Sequence, residues 1–596
     1  MNLRLRRSIT AIFFAALTLS VATALPTDYY VDARNGSDAA VGTSPDAAWK
    51  TLARVSQAEE IQPGDVVRFH AGDVWRESLA PRSGDEGRPV TYTSYGEGAK
   101  PSFWRSVSLS DEDAWVKEGE NIWATRPRTV TPFPDGIVAK LIPGRWATHA
   151  ESGASVNYVE DSGSFKLEIK ASGSASNHIQ WMYDPFTIKR DRSIRCSFSA
   201  RASQPTTFNI SLMASSRPWP SYGAVSGLGE ITTEFQRFEL CLRPNRDAED
   251  ARLTFYLGVV PQGVVLEFAD FTFEEVEIDE FDLGPDVGNI ILDHNAAAFK
   301  RWELDELKEQ DDYYYNRVDG RVWYYSRENP AAKYDSIEAA IMQHIVDLSG
   351  VHDAIFDGLD IRYGAAHGFG GSGNARCVIR NCDISWIGGG DQHRGGSAGP
   401  RTRYGNGIEF WASAQDHLVE NCRLWEIYDA ALTNQGSGTN VERNIVYRNN
   451  LIWNCEYSFE YWNRDETSVT ENIEFVNNIC LNAGWGWGYV QRPDPNGRCL
   501  MFYDNTAQTK NVVIKGNIFA NAKDSLVRFD REWSPEGPKL DDNVYWQDNA
   551  SVPYALWLKT KYDRDAFDAY KKAANVEENG RIEKVDVDAL IPKDVR

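Results

Sequence analysis

The 596-residue chain carries 86 acidic and 63 basic residues, which gives a formal net charge of −23. Such an acidic excess argues against nucleic acids and anionic membranes as partners. Aromatic residues make up 12% of the chain, and its 20 tryptophans suit carbohydrate stacking and a large β-sheet core equally well.

The N-terminal segment predicts export. Three arginines lie within the first seven residues, an apolar run follows from Ile9 to Val21, and small residues end it at Ala24. This is the pattern of a secretory signal peptide over residues 1–24. The apolar run is shorter than the roughly 20 residues that span a bilayer. We therefore expect a secreted, periplasmic or cell-surface protein with no membrane span after the signal is removed.

Residues 25–144 predict the first part of a β-structure. Short runs with strand character, such as Tyr29–Asp32, Val66–Phe69 and Val90–Tyr92, alternate with turn residues. This opening resembles the N-terminal coils of secreted right-handed parallel β-helix proteins of the pectate-lyase-like superfamily, and the resemblance extends to the repeats described below. It implies an all-β fold and a carbohydrate-active enzyme, but it says little about the reaction.

Residues 145–278 interrupt that pattern. Alternating strands such as Phe165–Ile169 and Leu253–Leu257 follow at the spacing of an antiparallel β-sandwich. The segment looks like a jelly-roll carbohydrate-binding module inserted into the β-helix, and Trp219 and Tyr222 are its candidate sugar platforms. The alternative is a structural lid whose aromatic residues form its core.

A short sequence motif recurs in residues 279–596, the predicted main β-helix with its C-terminal cap. The steps from Asn421 to Asn449 and from Asn449 to Asn477 are both 28 residues, and each asparagine lies between two apolar runs. Strands at a fixed period without a helical pattern predict a parallel β-solenoid. The asparagines are expected to stack into a hydrogen-bonded ladder. A helical pattern from Asp563 to Ala574 predicts the cap.

Strand alternation predicts a row of outward side chains on this solenoid. With Ala431 assigned to the core, Glu409 and Glu460 point outward two coils apart, about 9.6 Å between their Cα atoms. Asp429 lies at the entrance of the strand between them, so these three carboxyl groups are the main catalytic candidates. A second outward column carries candidate substrate-binding side chains: Trp411, Asn434 and Trp462.

Two long insertions predict walls beside this row. The chain takes 27 residues from Asn381 to Ile408 and 24 from Asn477 to Met501, against about ten at the short turns. Long loops on a rigid scaffold are where function usually lies. The remaining candidates lie on or near these walls: His393 for catalysis, and His367, Arg403, Arg464, Trp487 and Arg492 for substrate binding.

Paired carboxyl groups facing a groove favour glycoside hydrolysis, which needs one acid and one carboxylate roughly 5 to 9.5 Å apart. The separation of Glu409 and Glu460 lies near the inverting end of that range. Arginines around the groove of so acidic a chain point to a uronate or sulfated glycan. They also suit a polysaccharide lyase, which neutralises a uronate and removes its C5 proton. A non-catalytic glycan-binding solenoid is the third interpretation.

The sequence calls for no cofactor. No Cys/His spacing resembles a zinc site, and a calcium ion stays an open alternative. Cys382 and Cys422 are expected to be stacked core thiols, whereas Cys196 and Cys241 could pair in an exported protein. We expect a monomer that binds a polysaccharide or oligosaccharide.

Overall fold

The computed structural model describes residues 25–134, 139–140, 145–190, 192–217, 219, 221–225, 230–244, 246–279, 281–317, 319–392, 402–532 and 537–593. The predicted signal peptide and the candidate His393 lie outside these residues. The described chain is all-β, and long parallel sheets dominate it.

Three long sheets organise the fold, and successive repeats add strands to them in parallel register. The first sheet contains, in spatial order, Asp28–Val31, Val66–His70, Val90–Tyr95, His352–Asp357, Ala375–Arg380, Gln415–Glu420, Val441–Arg448, Val469–Val476, Gln508–Lys515 and Lys539–Asp541. The second contains Val74–Trp75, Ser102–Trp104, Asp360–Arg362, Asp383–Ile387, Arg423–Ile427, Leu451–Trp453, Ile479–Ala483, Ile518–Ala522, Val544–Trp546 and Arg581–Ile582. The third contains Val346–Asp347, Phe369–Gly370, Ile408–Trp411, Ala430–Gly436, Tyr457–Asn463, Arg498–Phe502, Ser525–Phe529, Ala555–Trp557 and the antiparallel Thr560–Tyr562.

Columns of apolar side chains fill the space inside the repeats. Ile379, Val419, Tyr447, Phe475 and Ile514 pair successively across the first sheet, and all five are fully buried. Each repeat thus removes the apolar face of its neighbour from water, at roughly 25 cal/mol for every Å² buried.

Asparagines form the turn between the first and second sheets. Asn449 and Asn477 both have φ of 56°, in the left-handed region that asparagine tolerates well. The residue after each of them bonds along the stack: Asn450 Nδ2 donates to Asn478 Oδ1 at 3.0 Å, and Asn478 Nδ2 donates to Asn517 Oδ1 at 3.2 Å. The buried ladder therefore contains the residue after each turn asparagine: Asn450 follows Asn449, and Asn478 follows Asn477.

Two antiparallel sheets share one core within residues 130–278. The larger sheet contains Val130–Pro132, Ala139–Lys140, Ser155–Asp161, Ser164–Ala171, Ser193–Ala202, Gln236–Leu242 and Val265–Ile278. The smaller sheet contains Trp146–Ala150, Ile179–Ile188, Asn209–Ala214, Ser221–Val225 and Ala248–Tyr256. The unit begins upstream of the expected start at residue 145, because Val130–Pro132 pairs with the last residues of Val265–Ile278.

All eight cysteines are free thiols. Cys241 pairs in register with Arg195, one residue away from Cys196, so alternation places the two sulfur atoms on opposite faces of the sheet. The suggested disulfide between Cys196 and Cys241 is therefore wrong. Cys382 and Cys422 are buried at corresponding positions beside the paired strands of the second sheet.

Two further sheets form a small unit, whose Ile291 and Ala340 cluster with Trp386 and Tyr428 at the ends of second-sheet strands. One sheet contains Ala296–Ala297, Val287–Leu292, Ile337–Ile341 and Ser106–Ser108. The other contains Phe299–Arg301, Asp312–Asn316, Arg321–Tyr325, Ile122–Thr125 and Trp115–Gly119. Lys300 Nζ donates to both carboxylate oxygens of Asp286, and one of these oxygens also accepts the Asp391 backbone N–H at 2.8 Å. This buried ion pair fixes the small hairpin of Gly390–Asp391 and Arg403–Tyr404.

The helices are short. They span Leu52–Gln57, Pro330–Lys333, Trp487–Gln491, Phe567–Ala574 and Val587–Leu590, with 3-10 turns at Pro45–Ala47, Glu112–Ala114, Ser176–His178 and Leu304–Glu306. The helix Phe567–Ala574 packs its Phe567 ring on Tyr545 at the end of the repeats. In the part of the chain that the structure describes, no helix has the length and apolar character needed to cross a membrane.

Candidate active site

A cleft of about 850 Å³ runs along the outer face of the third sheet. One side of it is formed by the hairpin of Gly390–Asp391 and Arg403–Tyr404. Arg492, the residue after the helix Trp487–Gln491, also lines the cleft. The side chains on which its chemistry depends are His367, Tyr404, Glu409, Asp429, Glu460 and Tyr503.

Glu409 and Glu460 lie two strands apart on the same face of this sheet, because both pair in register with Thr433. The expected register of the strand between them is wrong by one residue. Leu432, rather than Ala431, pairs with Ile408 and Phe459. A similar shift occurs at Arg498–Phe502, where Leu500 pairs with Phe459 and Met501 pairs with Glu460.

The register shift removes Asn434 from the site. Asn434 is fully buried, and its Oδ1 accepts a hydrogen bond of 2.9 Å from the Tyr447 hydroxyl in the interior. The prediction that it binds substrate is therefore wrong. Gln435 takes the position between Trp411 and Trp462.

Two donors converge on one oxygen of Glu409. Asn406 Nδ2 donates to Oε2 at 2.6 Å, and His367 Nε2 lies 3.2 Å from the same atom. Burial raises the pKa of Glu409 to about 7, more than the Asn406 hydrogen bond lowers it. When the carboxyl group is protonated, its proton is therefore expected on Oε1, the oxygen that neither donor occupies.

The tautomer of His367 follows from its second nitrogen. Nδ1 accepts the Asn406 backbone N–H at 2.9 Å, so Nε2 carries the hydrogen that points to Glu409. Burial lowers the pKa of His367 to about 3, which keeps the ring neutral. The His344 ring stacks on it with centroids 4.9 Å apart, and His344 Nδ1 accepts the His367 backbone N–H at 3.3 Å. Both imidazoles are thereby fixed in one tautomer.

Asp429 has a cation in contact with it. Arg492 Nη1 donates to Asp429 Oδ1 at 2.9 Å, and Arg492 Nε lies 3.7 Å from Glu456 and 3.4 Å from Asp494. Burial raises the pKa of Asp429, and the guanidinium opposes this rise. Among the three candidate acids Glu409, Asp429 and Glu460, Asp429 is thus the best placed to carry a negative charge.

Glu460 is held in its neutral form. Burial raises the pKa of Glu460 well above its usual range, and the nearby charge of Asp429 raises it further. Gln435 Nε2 donates to Glu460 Oε2 at 2.5 Å. Of the three candidate acids, Glu409 and Glu460 therefore favour protonation, and Asp429 ionises more readily than either.

Trp411 and Trp462 form one aromatic surface beside these acids. Their rings lie nearly parallel, at an interplanar angle of 19° with centroids 6.0 Å apart, and both line the cleft. Arg464 lies 5.6 Å above the Trp462 ring, and its Nη2 contacts Asp504 at 2.6 Å. Exposed indole faces beside carboxyl groups suit the apolar face of a sugar ring.

Two predicted substrate-binding residues stabilise the walls instead. Arg403 is buried, and it donates to the carbonyl oxygens of Gly389 and Gly288, each at 2.8 Å. Trp487 is also buried: its ring packs on Tyr428, and its Nε1 donates to the Glu426 carbonyl at 3.0 Å. The guanidinium of Arg403 lies over both aromatic rings, so it joins the two walls.

Facing glycines close the base of each loop. A Cβ atom on Gly388 would lie 2.6 Å from the Gly405 carbonyl oxygen. At the other loop, a Cβ on Gly484 would lie 2.8 Å from the Cα of Gly497, and the converse distance is also 2.8 Å. All four have positive φ, between 68° and 134°, so no other residue fits these positions without strain.

One cluster of potential metal ligands lies apart from this cleft. Among the described residues, one group of three potential ligands was found whose donor atoms lie within 4.8 Å of one another: Asp32, His70 and Asp73. It belongs to the first strands of the first sheet, and its Asp73 already contacts Arg34 at 2.9 Å.

Several cleft residues were not singled out from the sequence. His344, Tyr404, Asn406, Gln435 and Tyr503 all line the cleft. The sequence could have indicated Asn406 as a site residue, since it lies between two glycines and three positions before Glu409. No sequence feature predicts that His344 and Tyr503 line the cleft, because their placement depends on the packing of separate repeats.

The fold and the cleft define an all-β protein with a carboxyl-lined groove on a parallel sheet, and comparison with known proteins gives distant likenesses. No protein-family model matches the chain. A 96-residue stretch is 33% identical to lacto-N-biosidase of Bifidobacterium longum subsp. longum, and it covers 15% of this chain and 6% of that protein. The chain thus spans a small fraction of that curated relative.

Solved structures resemble the chain over longer stretches at low identity. A structure described as a glycoside hydrolase is 10% identical, with 89% of this chain and 96% of that one covered and a TM-score of 0.37. The complex of XylC with xylose is 8% identical, with 93% and 83% covered and a TM-score of 0.39. A CBM4 structure is 23% identical, with 24% of this chain and 96% of that one covered and a TM-score of 0.20.

Proposed function

We propose that this protein is an exported glycoside hydrolase in which Glu409 is the general acid and Asp429 is the ionised carboxylate. Successive repeats each add parallel strands to three long sheets, and this arrangement supports a right-handed parallel β-helix as the scaffold. The apolar run from Ile9 to Val21 supports export. The antiparallel unit of residues 130–278 is proposed to be a jelly-roll carbohydrate-binding module. The short stretch shared with lacto-N-biosidase supports a carbohydrate-active protein.

The observation that carries this proposal is the contrast between Glu409 and Asp429. A general acid works best when its pKa lies near the working pH, and burial raises the pKa of Glu409 to about 7. Asp429 faces the same cleft with Arg492 against it. Burial raises the pKa of both groups, but the Arg492 guanidinium opposes that rise at Asp429, so Asp429 ionises more readily than Glu409. This difference suits the acid and carboxylate roles of glycoside hydrolysis.

The steps follow from this arrangement. Glu409 gives the proton on Oε1 to the glycosidic oxygen as the bond to the anomeric carbon breaks, and Oε2 stays bound to Asn406 and His367. The carboxylate of Asp429 either attacks the anomeric carbon or takes a proton from the attacking water. Trp411 and Trp462 hold a neighbouring sugar ring by stacking.

A lyase is the alternative that this geometry supports less well. β-Elimination needs a free base beside the sugar C5. In His367, Nδ1 accepts a hydrogen bond and Nε2 donates one, so neither nitrogen can take a proton without losing a contact. His344 Nδ1 is likewise occupied by the His367 backbone.

A panel of polysaccharides with two readouts tests the proposal. We expect new reducing ends without the ultraviolet absorbance of an unsaturated product, since hydrolysis forms no double bond. The Glu409→Gln variant is expected to lose about 10²- to 10⁴-fold in kcat on the natural glycan. It should lose far less on an aryl glycoside whose leaving group needs no proton, and Asp429→Asn should lose activity on both.

Glu474→Gln is the matched control, because Glu474 is an exposed carboxylate of the first sheet, away from the cleft. A double-bond product, or full activity in Glu409→Gln, would contradict the proposal. The anomer formed first, followed by ¹H NMR, then distinguishes direct attack by Asp429 from activation of water. Binding without any turnover would instead identify a glycan-binding solenoid.

A further inference from the structure

Recognition of an anionic sugar needs a cation that is free to contact it. Carboxylate and sulfate groups are usually bound by the paired N–H groups of arginine or by a lysine ammonium. Three described arginines line the cleft: Arg403, Arg464 and Arg492. Whether their guanidinium groups are free to contact a substrate therefore determines whether an anionic glycan can bind.

Arg492 lies among carboxyl groups of the chain, one of which it bonds directly. Its Nη1 contacts Asp429 at 2.9 Å, its Nε lies within 3.7 Å of Asp494 and Glu456, and its side chain is 9% exposed. A substrate carboxylate at this position would have to compete with three carboxyl groups of the chain.

Arg403 and Arg464 are also committed. Arg403 donates to two backbone carbonyls and, through Nη1, to Gln491 Oε1 at 3.1 Å. Arg464 contacts the Asp504 carboxylate at 2.6 Å and the Asp504 carbonyl at 3.3 Å. Arg464 is the more accessible of the two, and a single carboxylate holds it.

Among the described residues that line the cleft, the other Asp, Glu and His side chains supply no positive charge. Asp391, Glu409, Asp429 and Glu460 line it, and the two histidines there are held neutral. A uronate in the cleft would add a like charge near the Asp429 carboxylate in a poorly solvated site, which costs free energy.

We infer that the cleft accepts an uncharged glycan and rejects uronate and sulfated polymers. This inference rests on the proposed function, and it replaces the anionic substrate that the number of arginines in the sequence indicates. Neutral sugars need only hydroxyl contacts and stacking surfaces, which Tyr404, Gln435, Tyr503 and the two tryptophans supply.

Matched pairs of polysaccharides test the inference. Galactan, galactomannan and mixed-linkage glucan are each prepared with the C6 hydroxyl groups intact and with those groups oxidised to carboxylates, and xylan is paired with glucuronoxylan. Binding is measured by affinity electrophoresis with the full-length Glu409→Gln variant, so that the result does not depend on turnover. We expect at least one neutral member to bind about tenfold or more tightly than its charged partner.

Equal or tighter binding of a charged member overturns the inference, and so does binding to none of the pairs. Failure of the proposed function has a different signature. In that case the neutral member binds, and the wild-type protein still releases no reducing ends from it.

One substitution sharpens the test. Asp504→Asn removes the carboxylate that holds Arg464, and it should increase the binding of the oxidised glycan about threefold or more while leaving the neutral partner unchanged. Asp524→Asn is the matched control, since it frees Arg498, which does not line the cleft. An unchanged preference in Asp504→Asn would show that the engagement of Arg464 does not set the specificity.

Discussion

His367 Nε2 lies 3.2 Å from Glu409 Oε2, the same oxygen that accepts a 2.6 Å hydrogen bond from Asn406 Nδ2. These two donors fix the orientation of a carboxyl group that burial would otherwise leave unsatisfied. They also direct its proton to Oε1. The pair thus determines both where Glu409 points and which of its oxygens can act as an acid.

Asn406→Asp tests this role. The new side chain keeps the oxygen that accepts the Ala430 backbone N–H, but it replaces the Nδ2 donor with a second negative charge beside Glu409. The pKa of Glu409 should rise, and the alkaline limb of the pH profile of kcat/KM should move to higher pH. An alkaline limb at the wild-type position would exclude Glu409 as the acid whose titration limits the reaction.

The stability of the protein should depend on pH through Glu409. Its pKa rises from 4.5 to about 7 on folding, so the folded state binds more protons between these pH values, and stability falls as pH rises through this range. The loss amounts to roughly 3 kcal/mol. Glu409→Gln should therefore raise Tm at pH 8 and change it little at pH 4.5. Glu474→Gln should leave Tm unchanged at both pH values.

Arg492→Met should destabilise the fold by about 3 to 5 kcal/mol, because Asp429 and Glu456 lose the cation that compensates them in a buried site. Urea unfolding at pH 7 measures this loss. The penalty should shrink at low pH, where the carboxyl groups are protonated. Arg448→Met, which breaks an exposed pair with Glu420, should cost less than about 1 kcal/mol. Equal losses in the two variants would contradict this account.

The buried asparagine ladder should contribute more than its exposed counterpart. Asn478 Oδ1 accepts from both the backbone N–H and Nδ2 of Asn450, so Asn478→Ala leaves buried donors unpaired and should cost about 2 to 4 kcal/mol. Asn472 belongs to a parallel ladder on the surface, where Nδ2 donates to Asn444 Oδ1 at 2.9 Å. Asn472→Ala should cost only about 1 kcal/mol in the same urea titration, mostly because Asn472 has φ of 57°, a left-handed conformation that alanine adopts less readily.

The repeat period was enough to predict strands, parallel stacking and the two walls, because it depends on many residues at once. It placed Glu409 and Glu460 two strands apart, and the structure has them there. The period failed at Ala431, since the step from Asn421 to Leu432 is one residue longer than the step from Asn449 to Phe459. The run Ala430-Ala431-Leu432 is apolar in either register, so nothing local reveals the extra residue.

Pairing of charged groups is the part that the sequence could not supply. Arg403, Arg464 and Arg492 are indistinguishable as sequence letters, yet two of them bind acids and one binds backbone carbonyls. The partners come from distant positions, such as Gly288 for Arg403. Their engagement follows from three-dimensional packing and not from spacing along the chain.

Facing glycines lie at the base of each wall: Gly388 faces Gly405, and Gly484 faces Gly497. Evolution can therefore exchange either loop without changing the scaffold. Each loop leaves and rejoins the scaffold at nearly the same point, so its length and content can change while the strands that carry the acids keep their register. Descendants of such a gene could acquire new specificities through loop exchange alone. Chimeras cut at these glycines are accordingly the natural starting point for redesigning the groove.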